Sequence, residues 1–212
     1  MGLLSSILDA LLPPREEVKI AATMTAPELA ALVEPVTLRN ARWIHAILPY
    51  RSPRVRAMVR AIKFYGATSV LAPLGAVAAE HMDALIDDRA LSGARPLVMA
   101  PIPSSPARLR TRGYNQADRI ARAIHARMVH QDMVAYLPTL LAREDRPTQI
   151  RATVSRAENI KGAFSVSDPA RIRGADIILI DDVAETGSTL KDARRALLTA
   201  GAHDVMGFAI AH

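Results

Sequence analysis

The sequence predicts an α/β fold whose mostly parallel sheet is covered by helices on both faces. Residues 97–100, 177–180 and 205–210 form short apolar runs in which apolar and polar residues do not alternate. Strands of this kind are buried on both faces, and helical patterns separate them along the chain. This order favours a parallel sheet inside two layers of helices over an antiparallel sheet with one solvated face.

The helices are predicted from the spacing of apolar residues and from end signals. Residues 55–62 carry apolar side chains at i, i+3, i+4 and i+7, which predicts a helix with one buried face. Asn115 is a suitable N-cap for another helix, with Asp118 placed well for the helix dipole. Further helices are predicted over residues 27–33, 69–86 and 188–200.

The chain has 212 residues, which suits one domain with a small appendage. We predict an N-terminal helical or irregular segment over residues 1–48 and a main domain over residues 49–212. The absence of cysteine excludes disulfides and thiolate metal sites, and it fits a reducing compartment such as the cytoplasm. Residues 66–79 form the longest uncharged apolar stretch, which is too short for a membrane span and contains Pro73.

The net charge of +6 favours an anionic partner, such as nucleic acid, a phosphorylated metabolite or a membrane surface. Residues 101–161 hold eleven Arg and Lys against five Asp and Glu, so the charge belongs to the middle of the chain. Aromatic residues are scarce there, and stacking platforms for single-stranded nucleic acid are therefore few. A small phosphate-rich ligand explains the pattern at least as well.

Residues 177–190 combine a buried strand, two acids and a turn that opens a helix. Asp181 and Asp182 lie at the carboxyl end of the strand, where open α/β sheets bind their ligands. Gly187 then lies among hydroxyl side chains at a helix start, which suits a phosphate monoester. The adjacent carboxylates suit ribose hydroxyls or a hydrated magnesium ion. The hydroxyl residues are Thr186, Ser188 and Thr189.

Other interpretations of this segment fit less well. A Walker loop is excluded because no Gly-Lys-Ser/Thr follows the glycine. A receiver domain also ends a strand in acids, but it has no need of the turn. An ordinary strand with an acidic end and a well-capped helix is the remaining alternative. We expect a bulky side chain at Gly187 to block the phosphate and to leave the fold largely intact.

The segment resembles the binding signature for 5-phosphoribosyl-1-pyrophosphate (PRPP) of type I phosphoribosyltransferases. Nearly the whole chain is similar to the ComF/GntX family of phosphoribosyltransferase-like proteins, which is associated with competence, that is with DNA uptake and use in bacteria. The resemblance implies a type I phosphoribosyltransferase fold with a small N-terminal helical appendage. It rests on residues 8–14, 50–53, 62–64, 101–105, 112–116 and 162–164, besides the segment itself.

The resemblance implies roles for individual residues. The catalytic residues are expected to be Asp181, Asp182 and Glu185, with the two aspartates also holding Mg²⁺ through ribose or water. The 5′-phosphate site comprises Glu185, Thr186, Gly187, Ser188 and Thr189. The pyrophosphate site comprises Pro103, Ser104, Ser105, Arg108 and Arg112. The flexible loop of these enzymes corresponds to residues 143–156, with Arg143, Thr148 and Gln149.

Two departures from the family pattern bear on function. Members usually carry a four-cysteine zinc module near the N-terminus, whereas residues 15–36 contain no cysteine or histidine, so no zinc is expected. Glu185 stands where the family commonly has threonine. It could serve as a general base or repel the phosphate, and the sequence does not decide between these roles.

Two functions remain open from the sequence. The first is a Mg²⁺-dependent PRPP-binding protein that transfers phosphoribosyl to a nitrogen acceptor and releases pyrophosphate; the acceptor is not readable. The second is a non-catalytic module that senses PRPP or a nucleotide and contacts DNA, or DNA-uptake proteins, through the basic middle segment. A degenerate relative of the enzymes is a third, weaker alternative. A dimer is compatible with the sequence.

Overall fold

The structure, a computed structural model, describes residues 16–90, 95–144 and 162–212. Its helices are α1 (Glu16–Thr23), α2 (Ala26–Ala30), α3 (Pro53–Tyr65), α4 (Leu71–Ala90), α5 (Pro106–Arg112), α6 (Gln116–His125) and α7 (Ser188–Thr199). Its strands are β1 (Val36–Leu38), β2 (Ala41–Leu48), β3 (Leu97–Pro101), β4 (Val134–Tyr136), β5 (Leu141–Arg143), β6 (Phe164–Val166), β7 (Asp176–Val183) and β8 (Asp204–Ala211).

Six strands form one sheet in the order β1-β2-β8-β7-β3-β4, and β5 pairs with β6 in a separate antiparallel ribbon. All neighbours in the large sheet run parallel except β1 and β2. At the carboxyl ends of β3 and β7, Pro101 lies beside Ile180. The mostly parallel sheet confirms the predicted α/β class.

Helices cover both faces of the sheet, as predicted. The helices α3, α4 and α6 share one apolar core with Ile178 and Ile180, whereas α7 and the ribbon share the other core with Ile177 and Leu179. The short α1 contacts α3, and α2 contacts α4. Because successive side chains of a strand point to opposite faces, the next residue pair, 181 and 182, is divided between the two cores.

Residues 36–48 correct the expected helical or irregular N-terminal segment, because they form β1 and β2. Arg42 and His45 interrupt the apolar residues of β2, so its sequence lacks the uniform pattern of a buried strand. Instead, β2 is stabilised by parallel pairing with β8, which places Ile44 beside Gly207. Because β2 and β8 are far apart in the sequence, their pairing cannot be recognised from the residues of β2 alone. The division at residue 48 stays a prediction.

The other predicted elements are confirmed within a few residues of their ends. Helix α3 covers the predicted turns and ends at Gly66, whose φ of 67° allows the left-handed cap. Asn115 caps α6, with its side chain accepting from the Ala117 N–H at 3.2 Å. Helix α5 and the short strands β4, β5 and β6 had no prediction. Within the described ranges, no helix has the length and apolar character needed to cross a bilayer.

Candidate functional site

Asp181 and Asp182 lie at the carboxyl end of β7 and are both buried, with 9% and 5% of their surface exposed. The Asp182 N–H donates to Asp181 Oδ1 at 2.9 Å, and the Val183 N–H donates to Asp182 Oδ1 at 2.9 Å. One oxygen of each carboxylate is therefore oriented by the main chain. The pair lies at the strand end where ligands of parallel sheets bind.

Lys63, at the end of α3, reaches this pair. Its Nζ lies 3.5 Å from Asp182 Oδ2, and that oxygen is buried without a hydrogen bond from any residue that the structure describes. The contact is therefore an ion pair without hydrogen-bond geometry. A buried carboxylate oxygen without a donor is costly, and a ligand hydroxyl or a metal-bound water would satisfy it. No role was predicted for Lys63, although residues 62–64 are part of the family resemblance.

The Asp181 carboxyl is electrostatically strained. Burial raises the pKa of Asp181 well above its usual range, and the charge of Asp182 raises it further, whereas Lys63 lowers it. Keeping Asp181 ionised at neutral pH therefore costs folding free energy. Such a cost is typical of residues retained for binding or chemistry, although structural groups show it too.

We expect Asp181→Asn to stabilise the protein at pH 7.5. The folded-state pKa of Asp181 lies above the unfolded value, so stability falls as pH rises through the interval between them. Asparagine removes this titration and keeps an oxygen for the Asp182 N–H. The Tm of the variant should exceed that of the wild type by a few degrees at pH 7.5, and thermal melts should show the difference shrinking toward pH 4. A variant that is less stable at pH 7.5 contradicts this assignment.

The predicted phosphate-binding turn connects β7 to α7. The Ala184 N–H donates to Ala211 O at 2.9 Å, which ties the start of the turn to β8. Thr186 Oγ1 accepts from the Ser188 N–H at 3.3 Å. No residue in the described ranges accepts a hydrogen bond from the backbone N–H groups of Gly187, Thr189 or Leu190. The helix start therefore presents open donors, which is the arrangement that binds phosphate.

An open hollow of about 390 Å³ lies against this turn. The exposed side chains of Glu185 and Thr186 line it, together with Lys191 of α7. The β1–β2 connection contributes Arg39 and Asn40 from the opposite side. Arg39 and Lys191 make the hollow suitable for an anion, and both cations share it with Glu185. The contribution of the β1–β2 connection could not be predicted, since β1 and β2 were themselves missed.

Gly187 is required by the packing of the fold. This corrects the expectation that a bulky side chain at Gly187 would leave the fold largely intact. Gly187 adopts φ +66°, and a Cβ at this position would lie 2.6 Å from Ile44 Cδ1 and 3.4 Å from Leu38 Cδ2. The missing side chain therefore points into the core beneath β1 and β2. A substitution strains the left-handed backbone as well as the packing, so Gly187→Val does not separate ligand binding from folding.

The predicted pyrophosphate segment follows β3, next to the acid pair. The Ile102 N–H donates to Ile180 O at 2.9 Å, which fixes the segment against β7. Ser104 Oγ lies 3.2 Å from both Asn115 Oδ1 and Gln116 Oε1, and Arg112 Nη1 donates to the same Gln116 oxygen at 3.2 Å. The buried Gln116 therefore brings Ser104 and Arg112 together.

The remaining residues of the predicted pyrophosphate site do not join the contacts around Gln116. Ser105 caps α5, where its Oγ accepts from the Arg108 backbone N–H at 3.4 Å. Pro103 is half-buried, and the Arg108 side chain is exposed. The structure thus brings Ser104 and Arg112 together at Gln116, whereas Ser105 is used as a helix cap.

Of the predicted flexible loop over residues 143–156, the structure describes only Arg143 and Glu144. Arg143 ends β5, with its guanidinium carbon 5.3 Å from the ring centroid of Phe164 in β6. The buried Asp192 of α7 accepts from the N–H groups of Gly162 and Ala163 at 2.8 and 2.9 Å. Gly162 and Ala163 are thereby tied to the helix that begins at the phosphate turn. Thr148 and Gln149 lie outside the described residues.

No metal cage is present among the described residues, where no three His, Cys, Asp or Glu side chains are grouped to hold a metal ion. The Asp181–Asp182 pair is the candidate for Mg²⁺. Magnesium keeps several waters and takes one or two carboxylates together with substrate phosphates. The two acids therefore fit a Mg²⁺ that arrives with a phosphorylated ligand.

The fold and the site define an α/β protein with an acid pair and a phosphate-type helix start at the carboxyl edge of a parallel sheet. No family model matches the chain. Over 111 residues, the chain is 32% identical to competence protein ComFC of Streptococcus pneumoniae; the match covers 51% of this chain and 45% of that protein. The chain thus spans about half the length of this curated relative. The match confirms the resemblance to ComF proteins.

The chain is also similar to solved phosphoribosyltransferase structures. A hypoxanthine phosphoribosyltransferase from Staphylococcus aureus matches with 15% identity and a TM-score of 0.37, over 66% of this chain and 61% of that one. An orotate phosphoribosyltransferase from Mycobacterium tuberculosis in complex with inorganic phosphate matches with 18% identity and a TM-score of 0.29, over 92% and 80%.

Proposed function

We propose that this protein binds Mg²⁺·PRPP at the carboxyl edge of its sheet. The observation that carries the proposal is the open helix start at Gly187, Thr189 and Leu190 beside a buried carboxylate oxygen of Asp182 that lacks a donor. The turn over residues 185–189 would hold the 5′-phosphate, and the acid pair would hold ribose hydroxyls and the shell of the metal ion. Pyrophosphate would lie against residues 103–105.

The reaction that fits this arrangement is phosphoribosyl transfer. The bond between ribose C1 and the pyrophosphate oxygen breaks, pyrophosphate leaves with the electron pair, and a nitrogen acceptor forms the new bond to C1. Positive charge develops on the ribose, and the carboxylates of Asp181 and Asp182 are placed to stabilise it. Glu185, which shares its hollow with Arg39 and Lys191, is the candidate general base.

The biological setting follows from the ComFC likeness and is part of the same proposal. The relative is named a competence protein, and we place this chain in the cytoplasm with a role linked to DNA uptake or use. The residues that carry the proposal lie in the described ranges, so it does not depend on residues 145–161.

A non-catalytic DNA-binding module is the second candidate, favoured by the exposed side chains of Arg108 and Arg110 on α5. Arg112 is a poor probe of this alternative, because it contacts Gln116 and the ring of Phe64. Arg110→Ala is the informative variant, because Arg110 is exposed and lies outside the predicted PRPP site. DNA binding that falls steeply with salt and is reduced in Arg110→Ala, while PRPP binding is unaffected and no turnover occurs, would favour the module.

Calorimetric titration of PRPP tests the proposed function. We expect saturable binding with Mg²⁺ and much weaker binding without it, since the acid pair repels the phosphates unless a metal ion screens them. Binding should also raise the Tm by mass action. If millimolar Mg²⁺·PRPP produces neither heat nor a shift in Tm, the protein is not a PRPP-binding protein.

A further inference from the structure

Phe64, at the end of α3, is half exposed although it is a large apolar residue, with 49% of its surface accessible. Three cations surround its ring. The charged groups of Arg112, Arg60 and Lys63 lie 5.0, 5.6 and 6.0 Å from the ring centroid. We call these four residues the Phe64 platform. An exposed aromatic ring among cations is typical of a surface that stacks a planar ligand and binds its negative charge.

The main chain beneath the platform is held rigidly. The Tyr114 hydroxyl donates to Ile62 O at 2.9 Å and lies 3.2 Å from Lys63 O. Arg119 Nη1 donates to Gly66 O at 3.0 Å, and its guanidinium stacks on Tyr114 with 3.8 Å to the ring centroid. The last turn of α3 is therefore fixed by α6 and the segment before it, and a ligand would meet a preorganised surface.

The platform borders both halves of the candidate site. Lys63 Nζ lies 3.5 Å from Asp182 Oδ2, at the predicted ribose and metal position. Arg112 donates to Gln116 Oε1, which also contacts Ser104 of the predicted pyrophosphate segment. A ring stacked on Phe64 would therefore lie next to the groups that bind PRPP. The sequence analysis found no aromatic residue for an acceptor, because Phe64 and Arg112 are separated by forty-seven intervening residues.

The charges around Phe64 indicate which class of ligand the platform would bind. Arg60 has a partial partner in Glu17, whose Oε1 lies 3.3 Å from Arg60 Nε, and Lys63 has the buried Asp182. Among the described residues, the Arg112 side chain contacts the ring of Phe64 and the neutral amide of Gln116, and it pairs with no carboxylate there. A positive charge therefore remains at the edge of the ring. This favours an anionic planar ligand over a neutral one.

We infer that the Phe64 platform is the acceptor site and takes a planar nitrogen heterocycle that carries a negative charge, such as a ring carboxylate. This inference rests on the proposed function. The ring nitrogen attacks ribose C1 with its lone pair, the bond from C1 to pyrophosphate breaks, and any proton on that nitrogen passes to the general base, for which Glu185 is the candidate. Phe64 stacks the ring, and Arg112 pairs with its anionic group.

Two probes test the inference, orotate as the planar anion and hypoxanthine as the neutral planar ring. Calorimetric titration is performed on the wild type, Phe64→Ala, Phe64→Trp and the control Met133→Ala, which removes a hydrophobic side chain of comparable exposure (61%) on another part of the surface. We expect orotate to bind the wild type at least tenfold more tightly than hypoxanthine. Phe64→Ala should weaken orotate at least tenfold, Phe64→Trp should restore it, and Met133→Ala should have no effect.

The same four proteins are titrated with Mg²⁺·PRPP, which separates the two proposals. PRPP affinity should change less than twofold in Phe64→Ala, because Phe64 does not contact PRPP in this account. If the wild type binds PRPP but not orotate, the acceptor assignment alone is overturned. The same holds if the wild type binds orotate and hypoxanthine with equal affinity, or if Phe64→Ala binds orotate as tightly as the wild type does. Phe64-dependent orotate binding without PRPP binding supports the platform and contradicts the proposed function. Fluorescence quenching of Phe64→Trp by orotate provides a second readout.

Discussion

Asp182→Asn is expected to weaken Mg²⁺·PRPP binding by about 10–100-fold. The buried Oδ2 of Asp182 lacks a donor among the described residues, and in the complex it would accept from a ribose hydroxyl or a metal-bound water. A hydrogen bond to a charged group contributes about 1.5–3 kcal/mol, and each 1.4 kcal/mol corresponds to about tenfold in affinity. Calorimetric titration of the variant measures this loss directly.

The loss should not result from unfolding. Removing the charge of Asp182 relieves the repulsion that raises the pKa of Asp181, so the variant should melt no lower than the wild type at neutral pH. Asp132→Asn makes the same chemical change at an exposed position in the turn Gln131–Met133 and serves as the control. Equal PRPP affinity for Asp182→Asn and Asp132→Asn would remove Asp182 from the binding site.

Gly75→Ala is expected to destabilise the protein, although alanine favours helices. Gly75 lies in α4 where this helix crosses α6, and a Cβ there would lie 2.3 Å from Ala123 O and 2.7 Å from Ala123 C. These are backbone atoms, so the overlap is relieved only if one helix moves. Overpacking of this kind costs about 1–3 kcal/mol and sometimes more, which outweighs the gain of about 1 kcal/mol in helix propensity.

The comparison variant for Gly75→Ala is Ala76→Gly, at the next and exposed position of α4. It reports the helix propensity of this turn without a packing change and should lower the Tm modestly. A rise in Tm for Gly75→Ala of similar size to the fall for Ala76→Gly would show that the two helices do not approach as closely as described. Thermal melts at one pH and one protein concentration are sufficient.

The sequence predicted those elements whose own residues carry the signal. β3, β7 and β8 each contain a run of residues without polar side chains, and α3 repeats its apolar residues with helical spacing, so their structure follows from short stretches of chain. β2 was missed because Arg42 and His45 break its apolar pattern and its stabilising contact is a pairing with β8. Residues 143–160 are polar and without periodicity, which predicted a long loop or a ragged hairpin. The antiparallel pairing of β5 with β6 is again a contact between separated residues.

The candidate site also contains residues that the sequence predicted and residues that only the fold brings together. The acid pair and the helix start at Ser188 are contiguous in sequence, so their order alone predicted a phosphate-type site. Lys63, Arg39 and Phe64 come from other elements, and only the fold brings them to the sheet edge. Gly187 was assigned to ligand approach, but the side chain it lacks would collide with Ile44.

The central claim is that the helix start after the acid pair binds the 5′-phosphate of PRPP. Backbone amide resonances of ¹⁵N-labelled protein, followed during titration with Mg²⁺·PRPP, test it most directly. The account predicts that the amide protons of Gly187, Thr189 and Leu190 move downfield as they form hydrogen bonds to the phosphate. Saturable shifts elsewhere, with these three amides unchanged, would contradict it.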